Sequence, residues 1–331
     1  MTIRSLDILP TVPRLPRLLL PAVVAVWPWI AAGEPAGPTS VYGRGAAAAA
    51  TAPAEAGEAD RRAVDEATQA ERIFSSSLAM LGRAESFSAR LRQKVRIGDR
   101  VLVGTGRYVQ SGRGEDQRYR FESSLTADSE TFQLLEVGDG LFAWTHRHYG
   151  SEPPQLERLD IRRVREKLVQ LRAPDATTAT PYLGGLQRSL AALRQWFRLV
   201  TAEPGQIGDT PVWIVDGRWR PALLAALQPD LATAANRPEG IAPGELPDGV
   251  PWSVRFCIGR TDLVPYRVEW LAVPGRRPVG DALPEPIAIL ELQEVRIGGA
   301  IDAGSFVYKP AAEGLVDLTE SYVATLSLLR Q

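Results

Sequence analysis

The sequence predicts an α+β protein built on one antiparallel sheet of about nine or ten strands with three or four helices. Between Phe87 and Ile97, apolar residues alternate with charged ones, a period of two that sends them to opposite faces of a strand. Short turn sequences such as Gly138-Asp139-Gly140 separate the strand-like segments, which favours antiparallel neighbours. Strands and helices do not alternate regularly, so a doubly wound parallel sheet is excluded.

The N-terminus has the order of charges and apolar residues typical of a secretory signal. Arg4, Arg14 and Arg17 precede an apolar run from Leu18 to Ile30, and small residues lead to Gly33. A membrane-spanning helix needs roughly 20 apolar residues, and this run is shorter. We therefore expect a signal at residues 1–33 and an exported, periplasmic or secreted protein that is soluble after cleavage; a retained anchor is the alternative.

Composition sets the next limits. Cys257 is the only cysteine, so no intramolecular disulfide can form. The 38 basic and 39 acidic residues nearly cancel, and we expect no nucleic-acid partner. Residues 34–60 are rich in Ala, Gly and Pro and lack the apolar residues needed for a core, which predicts a disordered tether before a folded domain over residues 61–331.

The first half of that domain is predicted to be one helix followed by a β-meander. Val64, Ile73, Phe74 and Leu78 supply a helical stripe over residues 61–81. The strands that follow are predicted at Phe87–Ile97, Val101–Gln110, Gln117–Leu125, Thr131–Val137 and Leu141–His148.

The second half mixes helices and strands. Asp160 is the expected N-cap of a helix ending near Arg172, and Pro221 is expected to open a short helix. The remaining predicted elements are a helix over 186–200, strands over 211–219, 252–259, 265–273, 287–297 and 306–310, and a helix over 318–329 capped by Asp317 or Thr319.

Three separated stretches resemble the LolA/LolB-like family of periplasmic lipoprotein carriers. They are Ser86–Ala89 with Gln93–Val95, then Val137–Trp144, and finally Ala300–Ala303 with Phe306–Pro310 and Gly314. The resemblance covers residues 86–159 and 287–316, whereas the longer helices and Pro-rich loops of the middle depart from the compact carriers.

The resemblance implies an unclosed, or half, β-barrel of about nine to eleven strands with helices covering its concave side. It also implies a partly empty apolar cavity that holds an acyl chain, without a catalytic residue, metal or cofactor. The residues expected to line that cavity are aromatic or aliphatic and lie on predicted strands: Phe87, Leu91, Tyr108, Phe121, Phe132, Phe142, Trp144, Tyr266, Val268 and Trp270.

One departure concerns the lid. Carriers of this family often have an Arg-Pro pair after the second strand, and its Arg latches the helical lid. The matching segment here is Gln110-Ser111-Gly112-Arg113-Gly114, which lacks that pair.

Other motifs support no enzyme class. His146 and His148 would share a strand face, but a closed zinc site needs about four ligands and no further His or Cys converges on them. No Gly-x-Ser-x-Gly turn is present, and Gly104-Thr105-Gly106 lacks the remainder of a phosphate loop. The basic side of the first strand, at Arg90, Arg92, Lys94 and Arg96, is either a solvated outer face or a contact for lipid head groups.

The sequence therefore predicts a non-enzymatic, exported carrier whose partner is the acyl chain of a lipid or lipoprotein. The alternative is an envelope module of the same fold that senses lipid, regulates and contacts a membrane-protein partner. An enzyme that uses His146 and His148 is the third hypothesis.

Overall fold

A computed structural model describes residues 54–97, 100–128, 130–171, 185–237, 241–247, 249–273, 286–310 and 314–328. The predicted signal and the predicted tether up to residue 53 lie outside these ranges. Within the described ranges, the helices are α1 (Ala54–Arg83), α2 (Ile161–Gln170), α3 (Gly185–Trp196), α4 (Pro221–Leu227), α5 (Ala232–Ala235) and α6 (Thr319–Leu328).

In the part of the chain that the structure describes, twelve strands form one sheet. They are β1 (Ser86–Ile97), β2 (Arg100–Ser111), β3 (Arg118–Ala127), β4 (Glu130–Gly138), β5 (Phe142–Tyr149), β6 (Gln155–Asp160), β7 (Phe197–Ile207), β8 (Thr210–Trp219), β9 (Ser253–Gly259), β10 (Pro265–Leu271), β11 (Pro286–Ile297) and β12 (Leu315–Asp317).

The order across the sheet is β12-β6-β5-β4-β3-β2-β1-β11-β10-β9-β8-β7. Every neighbouring pair is antiparallel except β12 and β6, which run parallel. The order ends on β12 at one side and β7 at the other, so the sheet is unclosed. The structure confirms the predicted α+β class and the open antiparallel sheet, with one strand more than the upper expectation.

β1 buries its apolar face and exposes its charged face, as its alternating sequence predicts. Ala89 and Leu91 are 3% and 2% exposed, whereas Arg90, Arg92 and Lys94 face solvent. β1 pairs with β2 on one side and with β11 on the other, so it lies at the centre of the sheet. Its apolar side faces the main core because burying apolar area on one face is the largest favourable contribution to folding.

Two helix caps occur where the sequence predicts them. The Asp160 carboxylate accepts a hydrogen bond from the Arg163 N–H at 3.0 Å and caps α2. The Asp317 carboxylate accepts one from the Thr319 N–H at 3.0 Å, where α6 begins. The first helix, α1, starts at Ala54, before the predicted start at Arg61.

Other boundaries differ from prediction. The helix expected to continue to Val200 ends at Trp196, and β7 begins at Phe197, where buried Phe197 and Leu199 flank exposed Arg198. β6 and β12 were not expected. The strand predicted at Phe306–Pro310 is absent, because Asp302 caps a 3₁₀ turn over Ala303–Phe306 and the chain continues without pairing.

Candidate functional site

One face of the sheet carries a continuous apolar surface, which we call the trough. It crosses the central strands β1, β2, β3, β9, β10 and β11, and each of its main side chains is no more than 5% exposed. These side chains belong to Ala89, Leu91, Tyr108, Phe121, Phe256, Val268, Trp270, Leu290 and Leu292.

Two helices cover the trough. α1 packs on β7, β8 and β9, α3 packs on β3 and β7, and the helices contact each other. Helical spacing of three and four places the apolar side chains of each helix on the face turned to the sheet. On α1 these are Phe74, Leu78 and Leu81; on α3 they are Leu186, Leu190 and Leu193. The rings of Phe74 and Phe256 meet edge to face, with centroids 4.7 Å apart.

Eight of the ten residues predicted to line a cavity belong to this core. Six are buried in it, and Phe132 and Tyr266 pack at its margin with partial exposure. The six buried residues are Phe87, Leu91, Tyr108, Phe121, Val268 and Trp270.

Phe142 and Trp144, also expected in the cavity, lie on the opposite face of the sheet. Between them, Ala143 points to the covered side, where it packs in a small cluster with α2 and α6. The Trp144 ring contacts the Tyr308 ring at 5.8 Å between centroids, and the Arg158 guanidinium lies 4.9 Å from the centre of the Phe142 ring. Their apolar surface is therefore covered from outside the trough.

Among the described residues, the space between α3 and the sheet is almost filled by the protein itself, whereas a partly empty cavity was expected. The space that remains between α3 and the sheet measures about 10 Å³, close to the size of a single water. Leu91, Phe121, Leu290 and Leu292 line it from the sheet, and Leu186 and Ser189 line it from α3. The leucines of α1 and α3 occupy the volume that was expected to accept hydrocarbon.

A buried chain of hydrogen bonds ties both covering helices to β2, and we call it the relay. The Gln110 amide donates to the Leu81 carbonyl near the end of α1 at 3.0 Å, and its oxygen accepts the Tyr108 hydroxyl at 2.7 Å. The same hydroxyl accepts the Leu186 N–H at the start of α3 at 2.9 Å. Burial raises the pKa of Tyr108, so the hydroxyl keeps the proton that it donates.

Gly185 makes the close approach of α3 to the relay possible. Its φ is +58°, a left-handed conformation that favours glycine. A Cβ at this position would overlap the Tyr108 hydroxyl and also approach Tyr119. The start of α3 therefore needs glycine for two separate reasons.

The segment at the end of β2, where LolA/LolB-like carriers often have the Arg-Pro pair that latches the lid, makes different contacts here. The exposed Arg113 guanidinium pairs at 3.1 Å with Glu85, in the link between α1 and β1. Gln110, the first residue of the same segment, makes the contact with α1 instead. Gln110 is a polar residue at an inward-facing position of β2, and this is the sequence signal that points to its contact with α1.

A few polar side chains also lie in or beside the trough. Glu136 lies in the wall of the small cavity and is 6% exposed, and Gln93 accepts a buried hydrogen bond from Ser123. His146 and His148 lie on the face away from the trough. Among the described residues, no group of three or more His, Cys, Asp or Glu is placed to hold a metal ion.

Two of the four basic residues of β1 lie close to acidic residues of β11. Arg90 binds Glu294 at 2.9 Å, and Arg92 lies 3.9 Å from Glu291. These pairs are solvent-exposed and contribute little to stability. They make a mixed-charge outer face.

Comparison with known proteins finds similarity among solved structures. No family model matches the sequence, and no curated protein matches it. MucB aligns with a TM-score of 0.34 and 12% identity over 72% of this chain, which spans 62% of MucB. A LolA superfamily protein from Nitrosomonas europaea aligns with a TM-score of 0.25 and 11% identity over 72% of this chain and 97% of its own.

A third similar structure is a domain from Vibrio parahaemolyticus described as an outer membrane lipoprotein-sorting protein. It aligns with a TM-score of 0.28 and 9% identity over 72% of this chain and 97% of its own. Within the described ranges, no helix combines the length and apolar character needed to span a bilayer.

Proposed function

We propose that this chain is an exported, non-catalytic carrier that binds the acyl chain of a lipid or lipoprotein in the trough. One observation carries the proposal. An apolar sheet face is covered by two helices, and the relay through Tyr108 and Gln110 joins those helices to it. A face covered in this way can exchange its helical cover for a hydrocarbon guest.

The free energy gained by burying an acyl chain is comparable to the free energy lost when α3 leaves the sheet. Burial of an acyl chain contributes about 0.8 kcal/mol for each methylene, so a chain of about twelve methylenes gains roughly 10 kcal/mol. Displacing α3 costs the contacts of Leu186, Leu190 and Leu193 with the sheet, roughly 1.5–3 kcal/mol for each side chain. It also breaks the Leu186 hydrogen bond, at about 1 kcal/mol. Gain and cost are similar, which suits reversible loading.

α3 is the element that we propose to move. The small cavity lies directly under its first turns, between Leu186 and the Leu91, Leu290 and Leu292 side chains. A guest entering there would first replace Leu186 and then extend along β1 and β11. Phe121 and Tyr108 would flank it, and Phe87, Val268 and Trp270 would complete the lining.

The proposed pathway begins with export. Residues 1–33 would be removed as a signal, the segment from residue 34 to the start of α1 would act as a tether, and the domain that follows would work in the periplasm or outside the cell. The ligand would come from the envelope in which the carrier is released.

The relay itself favours a second candidate, an envelope module that senses lipid. Because one hydroxyl binds the start of α3 while its partner Gln110 binds the end of α1, displacement of α3 alters the support of α1. A membrane-protein partner that contacts α1 would then respond to lipid in the trough.

A photoactivatable fatty acid tests the carrier proposal. The chain is purified from the envelope of expressing cells and irradiated with a fatty acid that carries a diazirine near its tail. Peptide mass spectrometry should place the label on peptides containing Leu91, Phe121 or Leu292, and excess unlabelled fatty acid should compete. Labelling confined to the outer face, at Val103 for example, or no competed labelling, would reject the carrier.

A matched pair of variants tests the role of the cover. Tyr108→Phe removes the relay hydroxyl and should speed labelling of the trough. Tyr149→Phe removes a hydroxyl that binds Glu130 at 3.0 Å, outside the relay, and should leave the rate unchanged. Equal rates in both variants would contradict displacement of α3 as the loading step.

Capture of a membrane protein in a lipid-dependent complex, without transfer of lipid between vesicles, would favour the sensing module.

A further inference from the structure

A second pocket lies on the opposite face of the sheet from the trough. It measures about 110 Å³ and opens between β2, β3 and the 3₁₀ turn Ala303–Phe306. Its lining residues are Arg107, Val109, Arg120, Glu122 and Ser305. On the scale by which the small cavity of the trough is close to the size of one water, this pocket is roughly ten times larger, and it accepts a group of several heavy atoms.

The turn over the pocket is anchored at several points. The Asp302 carboxylate accepts the Gly304 N–H at 3.1 Å, and Phe306 is only 3% exposed. Farther along, the Tyr308 ring packs on Trp144. The Ser305 carbonyl accepts a hydrogen bond from Arg120 at 3.5 Å, which links the turn to β3. The roof of the pocket is thus fixed to the strands that form its floor.

The two guanidinium groups of the pocket differ in their charge pairing. Arg120 donates to Glu122 at 2.5 Å, so its charge is already balanced by a carboxylate. Arg107 forms no ion pair or hydrogen bond with any residue that the structure describes, and it is exposed. The described lining of the pocket, with two arginines and one glutamate, therefore carries one excess positive charge.

Strand register brings both arginines to one side of the pocket floor. Arg107 lies opposite Glu122, and Val109 lies opposite Arg120, so the two arginines are diagonal neighbours on the same face. Diagonal neighbours lie about 7–8 Å apart at their backbones, within reach of one shared ligand for side chains as long as arginine. Val109, 2% exposed, closes the bottom between them.

We propose that this pocket binds a phosphate group. A phosphate presents three or four acceptor oxygens around one centre and can bridge two guanidinium groups, whereas a carboxylate presents only two. The excess charge of Arg107 supplies the attraction, and Arg120 supplies the donors not used by Glu122 and Ser305. The proposal is independent of the trough, because the pocket shares no residue with it. The phosphate would come either from a soluble phosphate ester or from a lipid head group.

Calorimetric titration of the full chain with inorganic phosphate and with glycerol 3-phosphate tests the site. Arg107→Gln should weaken binding roughly tenfold, the effect expected for loss of one charge-assisted contact. Arg198→Gln is the matched control, since Arg198 is an exposed arginine of β7 in the same sheet, and it should leave binding unchanged. No binding by the wild-type chain, or equal weakening in both variants, would overturn the proposal.

A third variant separates the site from a general folding defect. Glu122→Gln removes the carboxylate that neutralises Arg120, so phosphate should bind several-fold more tightly. A misfolded pocket would bind more weakly, and that result would also overturn the proposal.

Flotation with vesicles identifies the source of the phosphate. Arg107-dependent binding to phosphatidylglycerol vesicles, in competition with inorganic phosphate, supports a lipid head group. Binding to glycerol 3-phosphate without vesicle binding supports a soluble ester. Vesicle binding that Arg107→Gln leaves intact would show that the membrane contacts another surface and would overturn the lipid assignment.

Discussion

The Tyr108 hydroxyl lies 2.9 Å from the backbone nitrogen of Leu186 and accepts its hydrogen bond inside the core. This contact fixes the start of α3 on β2 and continues through Gln110 to α1. The two covering helices therefore share one buried point of attachment.

Replacing Tyr108 by Phe should loosen α3. The change leaves the Leu186 N–H and the Gln110 side chain without their buried partner, which costs about 1–3 kcal/mol. We expect a lower free energy of unfolding in urea and faster amide hydrogen exchange at Leu186 and Leu190. Tyr149→Phe should cost less than about 1 kcal/mol because its hydroxyl is only partly buried. Unchanged exchange in α3 would contradict the role of the relay.

Replacing Gly185 by Ala should destabilise the protein through both backbone and packing. The left-handed backbone costs about 1 kcal/mol with alanine, and the clash with the Tyr108 hydroxyl adds about 1–3 kcal/mol. Gly208→Ala is a close control, because Gly208 has φ +56° but nothing within 4 Å of its missing Cβ. The difference between the two unfolding free energies measures the clash. Equal losses of unfolding free energy in the two variants would mean that the start of α3 moves enough to relieve the clash.

Asp317 should make stability depend on acid pH. Burial pushes its pKa upward, but hydrogen bonds from Thr319 and Arg158 together outweigh burial and lower the pKa to about 2. Since the unfolded value is about 3.9, the stabilisation is complete above about pH 4 and is lost as pH falls towards 2. Asp317→Asn should therefore lower the unfolding free energy at pH 6, with the difference vanishing near pH 2. Asp209→Asn, in an exposed turn, should show no such convergence.

Cys257 should be chemically inert in the folded chain. Burial, with a smaller contribution from Glu269, raises the pKa of its thiol to about 12, and the residue is 5% exposed. Because the thiolate is the reactive species, iodoacetamide should alkylate it at pH 8 at least about a hundredfold more slowly than in urea. Intact mass spectrometry over time gives both rates. Rapid alkylation without urea would show that β9 opens locally.

The elements governed by local periodicity could be predicted from the sequence. Alternation at Ala89 and Leu91 gives β1 and its buried face, and Asp160 marks the start of α2. The secondary structure at Phe197 was harder to predict, because the spacing of Phe197 from Leu190 and Leu193 also fits a helix. Only its pairing with Trp219 on β8 makes it a strand residue.

The site depends more on contacts between distant segments. The relay joins Leu81, Gln110 and Leu186, so no local pattern predicts it, although Gln110 at an inward strand position is a visible signal. Trp144 was assigned to the wrong face because large apolar residues usually point inward. The side chains of Arg158 and Tyr308 cover Trp144 on the other face of the sheet, and Tyr308 is distant from Trp144 in sequence.

The position of β11 has a consequence for assembly. Strands β1–β6 and β7–β10 can each form by pairing with sequence neighbours, but in the described sheet the two sets meet through β11, which pairs Phe87 with Ile297. Contacts between such distant positions form slowly, because a long chain must first close on itself. Joining the two sets of strands therefore requires β11, the eleventh of the twelve described strands in chain order. Without β11, the neighbouring strands β1 and β10 would each keep one unpaired edge, so a chain shortened before Pro286 should expose two edges that can pair with other chains.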